Sequence, residues 1–259
     1  MPEGDILWQT AARLRPVLEG QELLELHAHD RGLCEAALVG HSVRRVEARG
    51  KNLLISFDDG RTLHCHLRMR GRWRVVAGRG PVPRVERAQL ALRTRQGWAL
   101  CHEAAILRLL ARHEVTRDPL LSRLGPDLLH PDFDVQIAAD RLGSAAELQL
   151  GEALLQQRLV AGIGNVYKSE VLFLAHLSPF RTVGETTDEE RRTLLGRARR
   201  LLRENVERPI RRSVPGPERP RHWVYRRAGL PCQRCGTPIE HTRQGNDARS
   251  TYWCPSCQR

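Results

Sequence analysis

Apolar residues recur at three- and four-residue spacing between positions 3 and 18. Leu7, Ala11, Leu14 and Leu18 fall on one face, and Gly20 stops the run. That period predicts an amphipathic helix. Beyond it the period shortens to two. Segments 22–28, 42–48, 52–57, 62–68, 72–77, 87–94 and 98–102 are short and rich in alternating apolar residues, and Asp58-Asp59-Gly60 reads as a hairpin turn. Seven short strands in about 80 residues imply a sandwich or barrel. The pattern turns helical again beyond Asp118, over about 134–141, 145–157, 166–175 and 187–207. The last run is the clearest: Leu194, Leu195, Ala198, Leu201, Leu202 and Val206 share a face, with arginines opposite. Residues 208–220 are rich in Pro and Arg and predict a loop, and 230–259 form a cysteine module. There is no internal repeat. The expectation is a multidomain α+β chain divided at 1–116, 117–220 and 221–259.

Charge narrows the partners. The 259 residues carry 42 Lys and Arg against 30 Asp and Glu, a net +12, with a pI near 10.3. Such an excess points to nucleic acid. No basic amphipathic helix stands out as a membrane anchor. Arg greatly outnumbers Lys, which suits planar, forked recognition of phosphate. A GC-rich genome would also favour Arg, but would not produce the net charge. The start, MPEGD, is acidic where a secretory signal is basic and then apolar. No apolar run reaches the roughly 18 residues that span a bilayer. The expected setting is the cytoplasm, on the nucleoid of a bacterium. Seven cysteines, three of them scattered at 34, 65 and 101, do not form a secreted disulfide framework.

The other four are organised. Cys232-x2-Cys235 and Cys254-x2-Cys257 stand 18 residues apart. Two such knuckles suit one tetrahedral zinc, and four protein ligands leave no open position, so the zinc is structural. Between them Thr251-Tyr252-Trp253 reads as a strand, and Arg243 to Arg249 as the tip of a hairpin. Arginine at such a tip can grip phosphate, although a ribbon of this kind can equally bind protein.

Two further features carry little alone. Val160-Ala161-Gly162-Ile163-Gly164-Asn165 separates two helical runs; its glycines allow close backbone approach and the amides at Asn165 could meet a phosphate. Pro2 follows Met1, which aminopeptidase removes before a small residue, leaving a secondary amine. Glu3 follows at a helix start, whose positive dipole end disfavours protonation of a nearby amine. An amine of lowered pKa is a nucleophile at neutral pH, and Glu3 can move protons beside it.

Together these features gain specificity. MPEGD at the start, GIGNVYKSEVLF at 162–173, HWVYRRAGLPCQRCGTPI at 222–239 and the terminal STYWCPSCQR, in one order, resemble the formamidopyrimidine-DNA glycosylase and endonuclease VIII family over the whole chain. The resemblance implies an N-terminal helix and β-sandwich, a helix–two-turns–helix domain and a zinc finger. It implies that Pro2 attacks the sugar C1′, that Glu3 is the acid/base that helps open the ribose, and that Lys51 is the catalytic-hairpin lysine on phosphate. Asn165 would hold the phosphates flanking the lesion, Arg249 would grip the same backbone, and Glu170, counted with the DNA-binding residues, would match a carboxylate near the nucleophile. Ile6 stands where the family has a second acid, with Asp5 adjacent.

The resemblance also implies a wedge that fills the gap left by a flipped base, here Arg68-Met69-Arg70 before Gly71. Met69 is flexible and apolar, fit to slip between bases, though a methionine can equally be core. Endonuclease VIII relatives often have Gln-Leu-Tyr there. The purine-damage branch adds Arg and Phe wedges on a loop near 105–112, where this chain has Ile106-Leu107-Arg108-Leu109-Leu110 without an aromatic. The reading that results is a monomeric DNA glycosylase/AP lyase closest to endonuclease VIII. It acts on damaged DNA, favours oxidised pyrimidines, and needs one structural zinc and no organic cofactor. The alternatives are excision of 8-oxoguanine and formamidopyrimidines, or a non-catalytic DNA-binding zinc protein on the same scaffold.

Overall fold

The computed structural model describes residues 2–78, 83–216 and 220–259. Met1, and part of the loop predicted at 208–220, lie outside the described residues. The chain divides into two compact units, Met1–Ser122 and Arg123–Arg259.

The first unit opens with α1 (Gly4–Leu18). There follow β1 (Glu25–Ala28), α2 (Arg31–Glu35), β2 (Val43–Arg49), β3 (Asn52–Phe57), β4 (Thr62–His66), β5 (Arg72–Ala77), β6 (Leu90–Thr94), β7 (Gly97–His102) and β8 (Ile106–Leu110), then two short helices, α3 (Arg112–Arg117) and α4 (Pro119–Ser122). Two four-stranded antiparallel sheets, ordered β1-β6-β7-β5 and β2-β3-β4-β8, form a sandwich. Leu7, Ala11, Leu14 and Leu18 of α1 share one core with Val46, Ile55 and Leu63 of one sheet and Leu90, Leu92 and Ala99 of the other. The period-four stripe and the period-two strands therefore bury the same apolar mass.

β8 departs from expectation. Residues 106–110, outside the seven strands expected from the sequence, form a strand paired with β4, from Thr62 opposite Leu110 to His66 opposite Ile106. A charge at its centre, Arg108, hid the strand in the sequence. That guanidinium is satisfied by His64 and Asp118. The unit boundary falls at 122 rather than 116, since α3 and α4 belong with the sandwich.

The second unit contains α5 (Val135–Gly143), α6 (Leu150–Ala153), α7 (Asn165–Ala175), α8 (Asp188–Val206) and the hairpin of β9 (Glu240–Gln244) and β10 (Arg249–Trp253). The helix expected over 145–157 is one turn, α6. The amides of Leu150 and Gly151 donate to the carbonyls of Arg181 and Pro179 at 2.9 Å each, outside any helical ladder. Tertiary bonding overrides the local pattern here. The cysteine module does not separate from the helices. Phe173 of α7 shares a cluster with Val224, Cys232, Ile239 and Cys254, and its ring stacks on Trp223 at 5.5 Å. Among the described residues, no helix is long and apolar enough to cross a membrane.

Candidate functional site

In the first unit, Glu3 is the N-cap of α1, with extended backbone and no side-chain capping bond. Its carbonyl accepts from the amides of Ile6 and Leu7 at 3.0 and 3.2 Å. Its side chain is fully buried, as is that of Asp5, while Pro2 is half-buried. Pro2 thus stands one residue outside a helix start, beside a buried carboxyl-bearing side chain. The partial positive charge of the helix end disfavours an ammonium there.

Lys51 sits in the two-residue turn between β2 and β3, closed by the Arg49–Asn52 pair, with Gly50 at φ 58°. The pairing of Leu53 with Cys65 brings this turn alongside the end of β4. His66 lies there, and its pKa is lowered, first by burial and then by the charges of Lys51 and Arg68. Its Nδ1 accepts from the amide of Arg68 at 3.2 Å. The Lys51 turn and the Arg68–Arg70 turn are therefore neighbours at one sheet end.

The second turn is sharply specified. Arg68 has φ 48°, and a Cβ on Gly71 would lie 2.6 Å from the carbonyl oxygen of Leu67. The turn projects Met69, which is 62% exposed and so not core. Arg68 and Arg70 flank it, both exposed. A flexible apolar tip between two cations suits insertion beside a polyanion. His66 escaped the sequence reading, and its position two residues before the turn arginine was the available signal.

In the second unit, Asn165 opens α7 behind Gly164 as N-cap. Gly162 has φ 106°. Its amide donates to Gln157 Oε1 at 3.1 Å, while Gln157 Nε2 donates to the carbonyl oxygens of Leu155 and Ile163 at 3.0 Å each. The loop is thus held from within. Asn165 Oδ1 is buried without a hydrogen-bond partner among the described residues.

Glu170 requires a correction. Its side chain has 0% exposure, so it offers DNA no atom. Oε2 accepts from the amide of Trp223 at 2.7 Å and from Ser213 Oγ. Oε1 accepts from the amides of Val224 and Tyr225 at 2.9 and 2.8 Å. One carboxylate thus gathers three successive N–H groups and ties the HWVY segment to α7. Bonds of this charge-assisted kind are the strong ones.

The four sulfurs of Cys232, Cys235, Cys254 and Cys257 lie within 4.8 Å of one another. Cys232–Cys257 measures 4.0 Å, and Cys235–Cys254 and Cys235–Cys257 measure 3.4 Å each. Tetrahedral zinc at about 2.3 Å from sulfur needs S···S near ~3.8 Å. The residues fit one zinc ion, with every ligand from the protein.

The hairpin above the knuckles turns at Gly245–Ala248, so the expected tip is narrower than 243–249. Arg243 lies within β9, and Arg249 is the first residue of β10, paired with Gln244 and exposed. Lys168, missed in the sequence, is fully buried. Its Nζ donates to Thr251 Oγ1 at 2.6 Å and the Ser250 carbonyl at 3.0 Å. Gln244 Nε2 donates to Gln149 Oε1 and the Pro179 carbonyl at 2.7 and 2.8 Å. A Cβ on Gly151 would come within 2.2 Å of Gln244 Oε1. Beside this docking lies a recess of about 340 Å³ lined by Glu152, Gln156, Lys168, Asp247 and Arg249. The base of the Arg249 hairpin is rigid, and its charge faces outward.

Comparison with known proteins agrees with this arrangement. The N-terminal domain of formamidopyrimidine-DNA glycosylase matches residues 1–105, the H2TH domain of the same glycosylase matches 124–213, and a zinc finger found in FPG and IleRS matches 229–259. A probable endonuclease 8 2 of Streptomyces coelicolor is 41% identical over all of this chain and 94% of its own length. The DNA-(apurinic or apyrimidinic site) lyase Nei2 of Mycolicibacterium smegmatis is 40% identical, over 100% of this chain and 99% of its own. The crystal structure of MutM (Fpg) from Thermus thermophilus superposes with a TM-score of 0.81 at 35% identity, covering 99% of this chain and 98% of that one. The chain belongs to the formamidopyrimidine-DNA glycosylase and endonuclease VIII family.

Proposed function

We propose that the chain is a bifunctional DNA glycosylase/AP lyase of base excision repair that removes oxidised bases, pyrimidines foremost, through the amine of Pro2. Full-length kinship with both endonuclease 8 and an AP lyase supports the pair of activities. The observation that carries the chemistry is Pro2 outside the start of α1, beside buried Glu3.

The damaged nucleotide is turned out of the stack, with Met69 filling the gap it leaves. The Pro2 nitrogen, freed by removal of Met1, attacks C1′ as the C1′–N bond to the base breaks and the base departs protonated. Glu3 passes the proton that opens the ribose ring. The C1′ iminium then withdraws electrons, and loss of the C2′ proton expels the 3′ phosphate. A further elimination can expel the 5′ phosphate, and water hydrolyses the iminium to release the sugar remnant as an aldehyde and free Pro2. Lys51, Asn165 and Arg249 hold phosphates during these steps. Zinc keeps the finger folded and takes no chemical part. In this reading the enzyme works as a monomer on the bacterial nucleoid.

The pyrimidine preference draws on the opening MPEGD, which is unlike the MPELPE type of the purine branch, and on kinship with proteins named endonuclease 8. Release of thymine glycol against 8-oxoguanine from matched duplexes tests it, and faster release of 8-oxoguanine would reverse it. The nucleophile is tested by borohydride trapping on abasic DNA. The native chain should form a covalent adduct that maps to Pro2. A chain that keeps Met1 should form none, and equal trapping with Met1 retained would refute the assignment.

A further inference from the structure

Strand β3 reads NLLISF, and its first residue is out of character. Asparagine is depleted in strands, and Asn52 is buried. Diagonally across from it a second buried polar residue, His64, lies on β4, paired with Leu54. An apolar pair would serve folding about as well, because a buried polar network gains little net stability even when fully satisfied. Such a network does fix geometry, since each bond has a direction.

The directions here are defined. Arg108 approaches His64 Nδ1 with Nε at 3.3 Å and Nη2 at 3.2 Å. A guanidinium only donates, so Nδ1 accepts and the ring proton lies on Nε2. Nε2 then donates to Asn52 Oδ1 at 2.9 Å. That leaves Asn52 Nδ2 to donate to the carbonyl oxygen of Arg49 at 3.1 Å. Arg49 and Asn52 are the two residues that bracket Gly50 and Lys51. At the far end Arg108 bonds Asp118, whose Oδ1 caps the amide of Leu120 at 3.0 Å and so fixes the segment after the sandwich.

We propose that His64 is a positioning residue for the DNA-contacting lysine: through Asn52 it locks the turn that presents Lys51, and through Arg108 it joins that turn to Asp118. The inference rests on the reading of Lys51 as a phosphate contact. The link to Arg108 needs a neutral imidazole, because Nδ1 can accept from the guanidinium only while it carries no proton. The environment enforces that state: burial first and then the charge of Arg108 take the His64 pKa down to about 4, against the opposing pull of Asp118. His66, at the end of the same strand, pushes the same way. The lysine is thereby held at a fixed place while its own ammonium stays in reach of the backbone.

The test is a double-mutant cycle read by affinity for a stable abasic analogue and by the rate of borohydride trapping. Lys51→Ala reports the phosphate contact itself. His64→Leu should weaken binding roughly three- to tenfold in the native background, the range of one hydrogen bond. It should change binding by less than about twofold when Lys51 is already Ala. His64→Gln, which can keep an N–H toward Asn52, should recover most of the loss. Asn52→Leu provides the same comparison where His64→Leu does not fold. Equal losses in both backgrounds, or no loss at His64 and Asn52 while Lys51→Ala weakens binding, would overturn the proposal and leave Lys51's role standing. An unaffected Lys51→Ala would instead remove the phosphate contact, and the proposal with it.

Discussion

The ammonium of Lys168 and the hydroxyl of Thr251 lie 2.6 Å apart inside the second unit, with the lysine wholly buried. One residue comes from the helix that follows the glycine turn and the other from the zinc hairpin. Thr251 Oγ1 also donates to Gln244 Oε1 at 2.9 Å, so the bond reaches both strands. The two candidate phosphate grips in this unit, Asn165 and Arg249, are therefore set on one connected frame.

Lys168→Met keeps the side-chain length and deletes the donor. The Ser250 carbonyl and Thr251 hydroxyl then lose a charge-assisted partner, a cost of about 1.5–3 kcal/mol. Amide exchange over β9 and β10 should speed up, and affinity for an abasic analogue should fall, with zinc content unchanged. Exchange rates identical to the native protein would mean the frame does not depend on this bond.

His64 gives a pH dependence with a definite sign. Its pKa is lowered to about 4 in the folded protein, against roughly 6.5 in an unfolded chain. Between those values the unfolded chain binds a proton that the folded one does not, so stability falls as pH drops through this window. The contribution is at most about 3 kcal/mol. His64→Gln cannot titrate there. Urea unfolding of both proteins from pH 7.5 to 4.5 should show the native protein losing its advantage over the variant. Parallel curves would contradict a buried neutral histidine.

Much of this was legible in the chain. The stripe Leu7, Ala11, Leu14, Leu18 named the core face of α1, and Asp58-Asp59-Gly60 lay between β3 and β4 as read, with Gly60 at φ 88°. The metal ligands followed from spacing alone. What stayed hidden depends on partners distant in sequence. Arg108 disguised a strand because its charge is met by His64, on a neighbouring strand. Lys168 sits inside a motif read for its glycines and asparagine, yet its partners are at 250 and 251. Glu170 carried a functional expectation although its oxygens serve the backbone at 223–225, which no spacing rule reveals.

Zinc removal separates grip from chemistry. Cys254→Ser should lose the ion, because a neutral hydroxyl replaces one of four thiolates. The cluster of Phe173, Val224 and Ile239 that packs on Cys254 should loosen with it. DNA affinity should fall sharply, while trapping at high abasic DNA concentration persists weakly, since Pro2 and Glu3 belong to the other unit. Native affinity in a folded, zinc-free variant would exclude the finger as a DNA clamp.

Arg249 provides the most specific test of how the backbone is held. It is exposed at the start of β10, on a hairpin fixed from below by Lys168 and Gln244. A rigid base with an outward guanidinium suits a phosphate contact, which supplies affinity without reading sequence and makes binding salt-dependent. Arg249→Ala should weaken binding to every lesion about equally. A charge-assisted bond contributes on the order of 1.5–3 kcal/mol, roughly a ten- to hundredfold loss. The log–log salt slope should become shallower by about one unit. Zinc should stay bound, because no ligand is touched, and Lys should rescue only partly, lacking the bidentate fork. The measurement is affinity for a stable abasic analogue across a salt series, repeated with two different base lesions. A loss confined to one lesion would make Arg249 a base reader, and an unchanged slope with unchanged affinity would take it off the DNA altogether.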